Sequence, residues 1–177
     1  MPDFEVVQLP ETDHPEVGDT APDFTRPLVS EEYWTDTSLS ELTAEGPVAL
    51  VAFPMDGAFP ATYVWNEIRD RGWGRGADDG AGSDGPTVVG LSISSPYEHK
   101  TFTAERGIDY RLFSDPGAGV AAEYGIEHDL DGMAGVTEHR PAVFLLDEER
   151  TVEYAWVASE WPDFPDYAEV EARIDDL

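Results

Sequence analysis

Residues 48–70, VALVAFPMDGAFPATYVWNEIRD, open with an uninterrupted apolar run, Val48–Phe53. A run with no polar alternation is expected of a strand covered on both faces. Pro54-Met-Asp-Gly57 reads as a turn. From Pro60 to about Arg71, Val64, Trp65 and Ile68 fall on one helical stripe, and Pro60 suits the first helical position. A strand therefore feeds a helix through a tight loop. The first turn of such a helix carries N–H groups with no intrahelical acceptor, a place for an anion or for chemistry.

The flanks repeat the alternation of strand and helix. Upstream, Phe4–Leu9 reads as a short strand at the head of an arm that runs to residue 16. Gly18 and Pro22 punctuate residues 17–24, and Phe24 is a candidate core anchor. Tyr33–Thr37 reads as a strand, and Ser38 with Glu41 has capping-box spacing. Downstream, Gly72–Pro86 is a Gly/Asp-rich loop, expected to be mobile. Thr87–Ser94 is a second apolar strand. Ser95, Pro96 and Glu98 then mark a helix start, and Gly107 a helix stop. Tyr110–Phe113 reads as a strand, Ala118–Tyr124 as a short helix, and Glu127–His139 as a loop. Ala142–Leu146 and Thr151–Val157 form a hairpin. Trp161–Pro165 is a linker to a final helix, with Tyr167, Val170 and Ile174 on one face. The pattern predicts an α/β sandwich with a mixed central sheet and helices on both faces. It divides into an arm, residues 1–16, and one domain, residues 17–177.

Composition narrows the function. Asp and Glu number 38 against 10 Lys and Arg, for a formal net charge of -28. Such a surface repels nucleic acid and anionic lipid, so neither is an expected partner. The carboxylates are spread between apolar segments, as on a salt-adapted, halophilic surface, rather than gathered in a disordered block. No apolar run approaches the ~20 residues of a membrane span. The acidic start MPDFEVVQLPETD has neither a basic nor an apolar signal region, so a cytoplasmic location is expected. The chain has no cysteine. Disulfides, thiolate metal sites and thiol catalysis are thereby excluded.

Several ordered motifs resemble the thioredoxin-fold peroxiredoxins, the alkyl hydroperoxide reductase/thiol-specific antioxidant family. Val17-Gly-Asp-Thr-Ala-Pro-Asp-Phe24 resembles its V-G-x-x-A-P-x-F opening, and Ser38-Leu-Ser-Glu-Leu42 its S-L-S-x-L. Val89–Ser94 with His99-Lys-Thr-Phe102, Leu112–Pro116 and Val143–Asp147 are similar to its V-V-G-I-S with H-x-x-F, L-L-S-D-P and F-V-I-D. The resemblance implies a thioredoxin-like fold and thiol-dependent peroxide reduction. It also implies the signature P-x-x-x-[TS]-x-x-C, assisted by a distant Arg. On this chain Pro54 matches the Pro, Ala58 stands at the Thr/Ser, Ala61 at the peroxidatic Cys and Thr62 just after it. Asn66 stands where some members place a resolving Cys. The Arg position falls on Pro141, with Arg140 one residue off. Pro141–Phe144 is also similar to thioredoxin-like proteins with a cis-proline there.

The expected function is therefore that of a peroxiredoxin-like protein that no longer reduces peroxides and serves as a binding or regulatory module. Two alternatives stand beside it. One is non-thiol chemistry in the retained pocket, with Asp56, Glu67 or Arg140 as the candidate group. The other is pairing with an active peroxiredoxin, or as a homodimer, for which an exposed Trp or Tyr near Trp65 would speak. An anion held at Ala61 and Thr62 would need Arg140 as counter-charge. His128, Asp129, Asp131 and His139 match no metal spacing, and Asp78, Asp79 and Asp84 read as solvated charge, so neither metal nor cofactor is assigned. His99 and His14 read as surface residues, and Trp65, Trp73, Trp156 and Trp161 as core or interface.

Overall fold

A computed structural model of the chain describes residues 6–74, 76, 85–129 and 132–177. Its elements, in order, are β1 (Val7–Gln8), β2 (Thr25–Val29), β3 (Trp34–Ser38), α1 (Leu39–Thr43), β4 (Val48–Ala52) and α2 (Phe59–Arg71). β5 (Thr87–Ser92), α3 (Pro96–Arg106), β6 (Arg111–Ser114), α4 (Gly119–Glu123), β7 (Glu127–His128) and β8 (Glu138–His139) follow. β9 (Ala142–Leu146), β10 (Val152–Val157), β11 (Glu160–Trp161) and α5 (Tyr167–Asp175) complete the series.

The apolar run of β4 sits in the middle of a seven-stranded sheet of order β10-β9-β4-β5-β6-β2-β3. All five of its residues are buried. Alternation sends Val48, Leu50 and Ala52 into one core layer and Ala49, Val51 and Phe53 into the other. β4, β5 and β6 are parallel, joined through α2 and α3, while β9 and β2 run antiparallel to their inner neighbours. Helices α2, α3 and α5 contribute Val64, Trp65, Ile68, Phe102 and Val170 to one layer. Helices α1 and α4 contribute Leu39, Leu42, Val120 and Ala121 to the other. The mixed sheet with helices on both faces is the arrangement the sequence predicts.

Local signals behave as their chemistry requires. Ser38 and Ser95 each close a capping box, with Glu41 and Glu98, and Gly107 ends α3 in the left-handed region at φ 62. Gly90 has a different reason to be glycine. A Cβ there would lie 2.5 Å from Leu112 Cδ2 and 2.6 Å from Trp65 Cζ2, so its absence makes the seat for the α2 tryptophan.

β2 holds Pro27, which argues against a strand inside a sheet, yet its ladder to β6 spans only Leu28 and Val29. Pro27 thus stays outside that ladder. Three expectations need correction. The segment read as a loop from Glu127 to His139 contains the two-stranded β7–β8 ladder. Trp161, read as linker, lies in β11, which pairs with β1. Pro60 is the second helical residue of α2, not the first, because Phe59 precedes it. Residues 77–84, with Asp78, Asp79 and Asp84, lie outside the described residues, as do Phe4 and Asp131. No helix among the described residues is long and apolar enough to cross a membrane.

Candidate functional site

The loop after β4 and the first turn of α2 bring Pro54, Ala61 and Pro141 together. They line a cavity of about 10 Å³ whose other walls include Phe53, Pro60 and Trp156. That volume holds about one water-sized sphere, and its walls offer almost no polar surface to bind one. Ala61 is 1% exposed and packs with Val64 and Trp65. Ala58 is the N-cap of α2 and makes no side-chain cap hydrogen bond, whereas a Thr or Ser there would supply one. The first intrahelical bond runs from the Thr62 N–H to the Ala58 carbonyl at 3.0 Å. Neither Ala58, Thr62 nor Asn66 is among the cavity-lining residues.

Arg140 does not reach this cavity. Pro141, Ala142 and Val143 line the cavity and Arg140 does not. Arg140 is buried, and its Nη1 donates to the carbonyls of Pro10 at 2.8 Å and Ala158 at 3.3 Å. Burial, with no carboxylate paired to it among the described residues, pulls its pKa downward. The guanidinium thus ties down the N-terminal arm instead of polarising a ligand. The cis-proline likeness fails as well: the cis peptide bond among the described residues is Trp161–Pro162.

The other candidates for chemistry are also engaged elsewhere. Asp56 holds His99, with Oδ2 2.7 Å from Nδ1, and its own N–H donates to Ser94 Oγ at 2.8 Å. Burial pushes the Asp56 carboxyl up, against the hydrogen bond and charge of His99, and Glu98 adds to the rise. Glu67 is half exposed and pairs with Arg71 at 2.9 Å. His99 is fully buried, contrary to the surface position expected of it. The signal for its burial was the spacing His99–Phe102, which puts it on the same helix face as a core phenylalanine.

His139 is likewise buried, with Nε2 2.9 Å from Asp115 Oδ2. Asp115 also accepts from the Val120 N–H at 2.9 Å and from Arg26 Nε at 3.0 Å. Burial alone would raise the Asp115 pKa, but the hydrogen bonds and charge of His139, with Arg26 and Val120, outweigh it and hold the carboxyl low. His139 is therefore spent on a structural hydrogen bond to Asp115. Among the described residues no cluster of three or more His, Asp or Glu is placed to hold a metal.

An aromatic group stands at the rim. Phe59 and Tyr63 have ring centroids 4.7 Å apart, and Phe164 lies 6.4 Å and 6.3 Å from them. Tyr63 is 46% exposed and Phe164 37%, whereas Trp65, two residues on, is fully buried.

Comparison with known proteins agrees with this architecture. The chain is 27% identical over 136 residues to chloroplastic peroxiredoxin Q of Gentiana triflora, covering 77% of this chain and 56% of that one. The chain thus spans just over half the length of that relative. It is 30% identical over 135 residues to a Mycobacterium tuberculosis protein described as a candidate peroxiredoxin, covering 76% and 80% of the two chains. Among solved structures it is similar in fold to peroxidoxin BcpB of Mycobacterium tuberculosis, with a TM-score of 0.69, 24% identity and coverage of 92% and 96%. It also matches Enterococcus faecalis AhpC at a TM-score of 0.72, 15% identity and coverage of 92% of each chain. The AhpC/TSA family model matches residues 17–155. With that match over most of its length, and a thioredoxin-like sheet carrying the family's loop and helix, this cysteine-free chain belongs to the AhpC/TSA family.

Proposed function

We propose that this chain is a catalytically degenerate peroxiredoxin homologue, acting as a binding or regulatory module in a salt-loaded cytoplasm. The observation that carries this reading is the cavity at Ala61: apolar, about 10 Å³ in volume and without a guanidinium. Peroxide reduction in this family needs a thiolate, because the neutral thiol is a poor nucleophile. Here the nucleophile, the hydroxyl and the activating cation are all missing from one place. Non-thiol chemistry in the same pocket lacks a titratable group, since Asp56, Glu67 and Arg140 all lie off the cavity wall. The test is consumption of hydrogen peroxide and an organic hydroperoxide at molar salt with a thiol reductant present. Consumption equal to a heat-inactivated control is expected; turnover above it overturns the reading.

A second reading is favoured by the aromatic rim. Phe59, Tyr63 and Phe164 present an apolar patch on an otherwise strongly acidic protein, suited to pairing with a second copy or with a cysteine-containing redox protein. Sedimentation at molar salt should show a species heavier than the monomer that Tyr63→Ser with Phe164→Ser dissociates. A monomer that co-purifies with no redox protein argues against it.

A further inference from the structure

The Asp56–His99 pair has no role in the function proposed above, yet its geometry makes a demand on protons. His99 Nε2 lies 3.0 Å from the Phe113 carbonyl oxygen, and Nδ1 lies 2.7 Å from Asp56 Oδ2. A carbonyl oxygen only accepts, so Nε2 carries a proton. An ionised carboxylate also only accepts, so the contact at Nδ1 needs either a second ring proton or a proton on the carboxyl. A neutral imidazole beside an ionised carboxylate would set one lone pair against another. Water cannot relieve that contact, because the His99 side chain is 0% and the Asp56 side chain 6% exposed. Among the described residues Asp56 Oδ1 has no hydrogen-bond partner, so none of them supplies a compensating donor.

We infer that Asp56 and His99 hold one shared extra proton in the folded protein at neutral pH, and that this proton locks the loop between β4 and α2 onto α3 and β6. Losing the proton releases the loop that carries Pro54 and Ala58. Glu98 acts on Asp56 through its negative charge, which favours retention of the proton. Glu105 and Arg106 line the same groove as Asp56, beside Tyr97. Ser94, just after β5, offers its hydroxyl to the Asp56 N–H, β6 the Phe113 carbonyl to His99, and Phe53 a ring 6.2 Å from that of His99.

The sign follows from proton counting. In the unfolded chain a free histidine releases its proton near pH ~6.5. Above that pH the folded pair binds one proton more than the unfolded chain, so stability falls as pH rises. The contribution is fully present below about pH 6.5 and is lost as the pair gives up its proton in alkaline solution.

Nitrogen-15 NMR of the full chain at molar salt tests the proton count without any variant. The His99 ring is assigned through its proximity to the Phe53 ring. Two protonated ring nitrogens, or one protonated nitrogen and a protonated Asp56 carboxyl, are expected at pH 7. Above neutral pH the amide resonances of Asp56 and Gly57 should move together with the loss of that proton. In Asp56→Asn the side-chain amide donates to a neutral Nδ1, which satisfies the same geometry without the extra proton. Its loop resonances should therefore stay fixed over that range. An unprotonated His99 nitrogen facing an ionised Asp56 at pH 7 overturns the proposal. So does a wild-type loop that ignores the titration, or a folded Asp56→Asn protein whose loop still follows pH.

Discussion

Ala61 lacks more than a sulfur atom. Restoring a thiol with Ala61→Cys would place it in an apolar cavity, at the start of a helix, with the Arg140 guanidinium off the cavity wall and held by the carbonyls of Pro10 and Ala158. Apolar burial raises a thiol pKa while the helix N-terminus lowers it, and only the second effect has no help here. The variant should show slow alkylation at pH 7 and peroxide turnover no faster than a free thiol, measured by iodoacetamide kinetics and peroxide consumption. Asp115 gives a pH prediction of the opposite sign to that of the Asp56–His99 pair. Its folded pKa is held below the unfolded value, so the unfolded chain binds more protons between the two. Its stabilisation is present above about pH 4 and lost as pH falls through the lower folded value. Asp115→Asn should flatten that acid limb and cost about 3 kcal/mol or more, read by chemical denaturation. Both alanines were legible because a spaced motif surrounds them. The Asp115–His139 and Asp56–His99 pairs were not, because their partners are 24 and 43 residues apart and only the closed sheet brings them together.

Helices and strands rest on local devices whose removal has a calculable cost. Ser95→Ala removes the hydroxyl that accepts from the Glu98 N–H and should cost about 1 kcal/mol. Gly90→Ala drives a methyl into Leu112 and Trp65 and should cost about 1–3 kcal/mol, with the Trp65 fluorescence altered as the indole shifts. Equal denaturation midpoints for either variant and the wild type would contradict these accounts. The strand–loop–helix at residues 48–70 was legible because burial on both faces, turn residues and a helical stripe agree over one continuous window. β2 was hidden by Pro27, and the two-residue strands β1, β7, β8 and β11 are too short to set a period. Each of those four exists through a partner distant in sequence or across an irregular loop.

At the scale of the molecule, a net charge of -28 opposes compaction. The Debye length shrinks from ~10 Å at 0.1 M to ~3 Å at 1 M salt, so the melting temperature should rise steeply over that range. Sodium and potassium chloride should act alike, and a flat dependence would show that the carboxylates do not set the stability. The fastening of the N-terminal arm has a different consequence. β1 pairs with β11, the Leu9 N–H donates to the Ser159 carbonyl at 2.9 Å, and Arg140 bridges Pro10 to Ala158. The segment so gripped continues into Phe164 at the aromatic rim and Pro165 on the cavity wall. Residues 7–10 and 158–161, at opposite ends of the sequence, therefore form one cooperative opening unit: in native-state hydrogen exchange the Leu9 and Ala158 amides should become labile together, and when they do, the cavity loses a wall.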